Sequence, residues 1–122
     1  MFAHTRTFGS FSVRDIVQAR EFYGDTLGLP VSEPRPGLLR LHLAGGLEFL
    51  LYAKPDHVPA TFTVLNFAVD DLDGTVDALV ERGVVFERYE QPKTDAKGID
   101  RAEDVAWFTD PSGNILSVVR DR

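Results

Sequence analysis

The chain has 122 residues, the length of one ordinary domain, and its 43% hydrophobic and 26% charged residues are globular proportions that exclude disorder. A net charge of −6, with Lys and Arg scattered, lacks the basic surface that a phosphate backbone needs and excludes nucleic acid as an expected partner. The absence of cysteine removes disulfides, thiolate metal sites and a Cys nucleophile together.

In chain order, Met1–Arg6 has no long apolar stretch, so no secretory signal is expected. No apolar run is long enough to cross a bilayer; Leu47–Ala53 is typical. A soluble, cytoplasmic protein without membrane contact is the expectation. Phe11-Ser12-Val13 reads as a strand, followed by Asp15 as an N-cap and a helix whose apolar stripe is Ile16, Ala19, Phe22, Tyr23 and Leu27, ending at Gly28. Short strands are predicted at Leu29–Ser32, Leu38–Leu43 and Leu47–Ala53, the last two joined by a hairpin at Ala44-Gly45-Gly46. Lys54–Ala60, with two prolines, is a hinge.

The pattern then repeats. An offset of 56 residues places Phe67 on Phe11, Val69 on Val13, Asp71 on Asp15 and Leu72 on Ile16. A second helix carries Leu72, Val76, Leu79 and Val80 on one stripe and ends at Gly83. Strands are predicted at Val84–Arg88, Val105–Thr109 and Ile115–Val119, with Asp110-Pro111-Ser112-Gly113-Asn114 as the turn between the last two. Tyr89–Asp104 is left as a long polar loop, a candidate lid carrying Glu90, Gln91, Lys93, Thr94, Asp95, Lys97 and Asp100 around Gly98. The expected fold is α+β: tandem βαβββ modules forming a curled mixed sheet around a cup, with helices outside. Residues 1–122 form one domain, with half 1 at about 8–53, the hinge at 54–60 and half 2 at about 61–119.

Strand alternation separates the helix-facing side from the open side. Phe8, Ser10 and Ser12 share the open side of the first strand, and Val64, Asn66 and Ala68 that of its repeat. Glu48, Leu50 and Tyr52 share one face, Trp107 and Thr109 another, and Ile115, Ser117 and Val119 a third.

The motifs Phe11-Ser12-Val13-Arg14-Asp15, Phe22-Tyr23-Gly24-Asp25-Thr26-Leu27-Gly28, Phe67-Ala68-Val69-Asp70-Asp71-Leu72 and Asp110-Pro111-Ser112-Gly113-Asn114 together make the chain resemble the vicinal oxygen chelate superfamily. That superfamily holds glyoxalase I, extradiol dioxygenases, fosfomycin-resistance enzymes and bleomycin-binding proteins. The resemblance implies paired βαβββ modules, a homodimer and, in metal-dependent members, His, Gln or Glu ligands on inward strand positions. Carried over by position, those ligands fall on Phe8, Val64, Ser117 and either Glu48 or Leu50. Phe and Val offer no donor and Ser is a poor one, so no family metal site and no cofactor is expected. His4, His42 and His57 read as surface or loop residues.

Ser10, Asn66 and Ser117 either hydrogen-bond a ligand or satisfy one another and buried water. Phe8, Tyr52 and Trp107 either stack on a planar ligand or fill the core or a dimer interface. Glu48 serves as a general base only if burial raises its pKa; otherwise it is a half-exposed carboxylate. Gln91, Lys93 and Lys97 in the polar loop either reach a ligand, the lysines an acidic one, or belong to a solvated surface. The leading reading is a metal-independent small-molecule-binding protein of the bleomycin-resistance type. The alternatives are a metal-independent enzyme using Glu48 as acid or base, and a metal-dependent lyase, isomerase or dioxygenase with atypical ligands such as His42 and Glu48.

Overall fold

The computed structural model describes residues 1–122, which fold as two compact units, Met1–Val58 and Pro59–Arg122. Each unit is a four-stranded mixed sheet with one helix, and the strand order is the same in both.

In Met1–Val58 the strands are β1 (Gly9–Val13), β2 (Val31–Ser32), β3 (Leu38–His42) and β4 (Glu48–Ala53), arranged β1-β4-β3-β2. The β1–β4 pair is parallel and the others antiparallel. Helix α1 (Ile16–Arg20) starts where the Asp15 carboxylate accepts the N–H groups of Val17 (2.8 Å) and Gln18 (3.3 Å), two of the donors that a helix start leaves unsatisfied. Over Glu21–Thr26 the helix widens into a π-helical turn. The turn directs Tyr23 into the core, where its ring meets Phe22 edge-on at 5.2 Å and Phe11 at 6.2 Å. Phe11, Val13, Leu39, Leu41 and Leu51 complete this apolar layer.

In Pro59–Arg122 the strands are β5 (Thr63–Val69), β6 (Ile99–Asp100), β7 (Val105–Thr109) and β8 (Ile115–Arg120), arranged β5-β8-β7-β6. Helix α2 (Leu72–Glu81) is capped by Asp71, whose carboxylate accepts Gly74 N–H at 3.0 Å. Leu72, Val76, Phe86, Phe108, Leu116 and Val118 are buried between helix and sheet. The internal repeat and the α+β class are therefore as expected.

Two expectations need correction. Val84–Arg88 is not a strand: only Phe86 bridges to Phe108, and Glu87 N–H donates to Trp107 C=O at 2.8 Å. The rest of that β7 edge is paired by Ile99 with Ala106 and Asp100 with Val105, so two short segments share the edge that one strand was expected to occupy. The β6 residues lie in the stretch read as a polar loop, yet both are buried.

That stretch is also tied down. Lys97 Nζ pairs with Asp73 (3.0 Å) and Asp77 (2.9 Å), and Arg101 pairs with Asp73 and Asp95, each at 2.8 Å. Lys97 is thus engaged by helix α2, the physical reason it does not stand free as a lid residue. Hydrogen bonds from Arg101 and then Lys97 hold the Asp73 carboxyl far below the ordinary carboxylate range. A depressed folded value means this tether is complete above the ordinary carboxylate pKa of about 4 and is lost as pH falls through the folded value. The pairs are solvent-exposed, so they hold one segment rather than the whole fold. Asp73→Asn is expected to raise amide exchange severalfold in residues 95–101 at neutral pH, with β5 and β8 unchanged. Unchanged exchange in 95–101 would show that the ion pairs do not hold this segment.

Candidate functional site

Alternation and register place the candidate residues on the sheet faces opposite the helices. On the first sheet Phe11, Val13, Leu39, Leu41 and Leu51 face α1, which leaves Ser10, Ser12, Arg40, His42, Glu48, Leu50 and Tyr52 on the open face. The register sets Ser10 beside Leu50 and Leu50 beside Arg40. The next row is Ser12, Tyr52 and Leu38. Phe8 directly precedes β1 and is 47% exposed; Tyr52 is 36% exposed, and these are large apolar side chains without full cover.

On the second sheet Asn66, Ser117 and Trp107 form one row across β5, β8 and β7. The Ser117 hydroxyl donates to Asn66 Oδ1 at 2.6 Å, so the buried hydroxyl is satisfied by a residue that is itself exposed. Trp107 meets Tyr89 edge-on at 5.7 Å. Burial raises the Tyr89 phenol pKa above its ordinary value. Val64 falls in a bulge: Thr63 pairs with Ile115 and Leu65 with Leu116, so Val64 is the extra residue.

Gln91 stands apart. It lines a hollow of about 510 Å³ in its own loop, with Thr94, Ile99, Arg101 and Glu103 among its neighbours. A second hollow, of about 320 Å³, lies along α2 between Val76, Val80, Phe86 and Lys97. Neither contains a residue of the open faces.

Glu48 has surroundings opposite to those a general base needs. It is ion-paired with Arg6, with His42 Nδ1 at 3.2 Å and Arg40 Nε at 4.0 Å. The hydrogen bond from Arg6 is the largest influence and holds the carboxyl below its usual range, overcoming the opposing effect of burial. A role as base rested on a raised pKa, and the cations around Glu48 remove that condition.

Arg6, Arg40 and Tyr89 are site-face residues that sequence reasoning missed. Arg40 was detectable, because it shares parity with His42 in a strand whose alternate residues, Leu39 and Leu41, are apolar. Arg6 and Tyr89 lie outside regular strands, where parity carries no information.

Two mixed sheets of identical strand order, each backed by a capped helix, define the βαβββ class. The sequence matches the Glyoxalase/Bleomycin resistance protein/Dioxygenase superfamily over residues 2–118, and the chain belongs to that superfamily. It is similar to TnmS3, an antibiotic binding protein from Streptomyces sp. CB03234, at 27% identity and TM-score 0.68, with 98% of each chain covered. A glyoxalase/bleomycin resistance protein from the same Streptomyces strain is 28% identical, with TM-score 0.61 and 93% of this chain and 99% of that one covered. A possible glyoxalase from Bacillus cereus shares the fold at TM-score 0.73 and 21% identity, covering 96% and 99%. Among curated proteins none matches.

The divalent metal of many superfamily members does not fit the donors present. Phe8 and Val64 have none, the Ser117 hydroxyl is engaged by Asn66, and Glu48 by Arg6. Nowhere do three or more His, Asp or Glu side chains converge in a way that would hold an ion. No helix is long and apolar enough to cross a membrane.

Proposed function

We propose that this protein binds a planar aromatic small molecule on an open sheet face, without metal and without turnover, in the manner of bleomycin-resistance proteins. The observation that carries this reading is that each open sheet face carries partly exposed aromatic rings beside polar groups. Phe8 and Tyr52 stand on one sheet with Ser10, and Trp107 and Tyr89 on the other with Asn66. Rings supply contact area at little entropic cost, and the polar groups set orientation. Similarity to an antibiotic binding protein at 27% identity supports binding rather than catalysis. Assembly as a homodimer, which superfamily membership suggests, belongs to the same reading and is tested by light scattering against a protomer mass of 13.6 kDa.

Trp107 is the only tryptophan, so its fluorescence reports on one of these faces. Titration with polycyclic aromatic antibiotics is expected to quench it saturably, with the compound recovered chemically unchanged. Trp107→Leu, which lacks the fluorophore and is followed by calorimetry, is expected to weaken binding by about tenfold, from the 1–3 kcal/mol typical of an aromatic stacking contact. Steady conversion of any bound compound refutes the reading. Addition of Ni²⁺, Zn²⁺, Mn²⁺ or Fe²⁺ is expected to leave the melting temperature unchanged. A specific ion at about 100 times its Kd would instead add about 2.7 kcal/mol and raise the melting temperature by several degrees.

A further inference from the structure

The open face of Met1–Val58 has a charge balance opposite to that of the chain. Across 122 residues the net charge is −6, yet here Arg6, Arg40 and His42 surround a single carboxylate, Glu48. The cluster is unevenly satisfied. Arg6 binds Glu48 directly and lies over the Phe8 ring, 5.0 Å from its centroid. His42 is held at both ends, with Nδ1 at Glu48 and Nε2 at 2.9 Å from the Ser32 hydroxyl. Arg40 differs: its nearest acceptor is Glu48 at 4.0 Å, beyond hydrogen-bonding reach, and its side chain is 37% exposed. The planar fork of N–H donors on Arg40 therefore makes no hydrogen bond within the protein, only the long ion pair with Glu48. Cross-strand from Arg40 is Leu50, and diagonal to it is Tyr52, so this guanidinium borders an apolar, aromatic surface.

We infer that the ligand is an aromatic acid, whose carboxylate or equivalent anionic group is bound by Arg40 while its ring lies along Leu50 and Tyr52. The inference rests on the aromatic-ligand reading above and specifies its chemistry. A guanidinium matches a planar carboxylate through two parallel hydrogen bonds, and the neighbouring Arg6 adds attraction for the same charge. Glu48 prevents the face from being a general anion trap, because it takes a hydrogen bond from Arg6 and leaves only the Arg40 fork without one.

The test uses two probes of one shape, 2-naphthoate and the neutral 2-naphthamide, titrated calorimetrically into the full chain. Naphthoate is expected to bind about tenfold or more tightly than the amide, the usual advantage of a charge-assisted pair over a neutral one. Arg40→Gln is expected to bring naphthoate down to the level at which the wild-type protein binds the amide, and Arg40→Lys to keep part of the preference. Raising NaCl from 50 to 500 mM is expected to weaken naphthoate and not the amide. Equal affinity for the two probes, or a preference that survives Arg40→Gln in a variant with wild-type melting temperature, overturns the acid inference alone. Failure of both probes to bind overturns the aromatic-ligand reading and this inference with it.

Discussion

Replacing Asp110 with alanine is expected to lower the unfolding free energy by about 3 kcal/mol, the scale of a lost buried, charge-assisted hydrogen-bonding centre. Asp110 is 3% exposed, and its carboxylate organises the whole turn. One oxygen accepts the backbone N–H groups of Ser112 and Asn114, both at 2.9 Å, and the other accepts the Asn114 side-chain amide at 3.0 Å. The backbone closes the turn through Asp110 N–H to Asn114 C=O at 2.9 Å and Gly113 N–H to Asp110 C=O at 3.0 Å. Gly113 sits at φ 85°, a conformation that side chains resist. Asn114, 1% exposed, also receives the Ala60 N–H at 3.3 Å, tying the turn to the segment that leads into β5. Alanine would leave these donors buried and unsatisfied, whereas Asp110→Asn keeps an acceptor and should lose less. Urea unfolding followed by Trp107 fluorescence measures both. A loss below about 1 kcal/mol for the alanine variant would mean that water replaces the carboxylate and that the turn does not depend on it.

Tyr23→Ala is expected to cost about 3–5 kcal/mol, the range for deleting a buried aromatic ring. Tyr23 is fully buried and is the ring through which Phe11 and Phe22 connect. Phe11 in turn touches Phe49 of β4 at 6.1 Å, so the cluster joins the helix to two strands. The π-helical turn places Tyr23 there, and Leu27 N–H and Leu29 N–H close it on Phe22 C=O (2.9 Å) and Tyr23 C=O (3.0 Å). Tyr23→Phe retains the ring and is expected to lose much less. Thermal melting with amide exchange across Met1–Val58 measures the effect. If both variants melt alike, the aromatic packing is not what holds this turn.

Both expectations concern motifs that carried the family resemblance, and both assign those residues to packing. Phe22-Tyr23 and Asp110-Pro111-Ser112-Gly113-Asn114 are recognisable because the fold requires them, not because a ligand does. Membership of the superfamily was therefore legible, while the chemistry of the site was not. Glu48 illustrates the gap. Its placement on the open face follows from strand parity, but its ionisation depends on Arg6, 42 residues away. Ser117 was read as either a ligand contact or a partner for a neighbouring polar group, and its hydroxyl lies on Asn66, 51 residues distant.

What the sequence by itself determined is local: Asp15 and Asp71 as caps, Gly28 and Gly83 in the left-handed conformation at the helix ends, the alternation that separates helix-facing from open side chains, and the closed Asp110 turn. Each depends on atoms within a few residues, so the residue types alone carry the information. Tertiary structure alone decided how residues 86–87 and 99–100 divide the β7 edge, which cations surround Glu48, and which guanidinium there is left without a hydrogen bond. These outcomes depend on strand register and on side chains brought together from distant parts of the chain. Hydrogen bonds and ion pairs act over only a few ångströms, so a sequence can supply the groups without showing which of them meet.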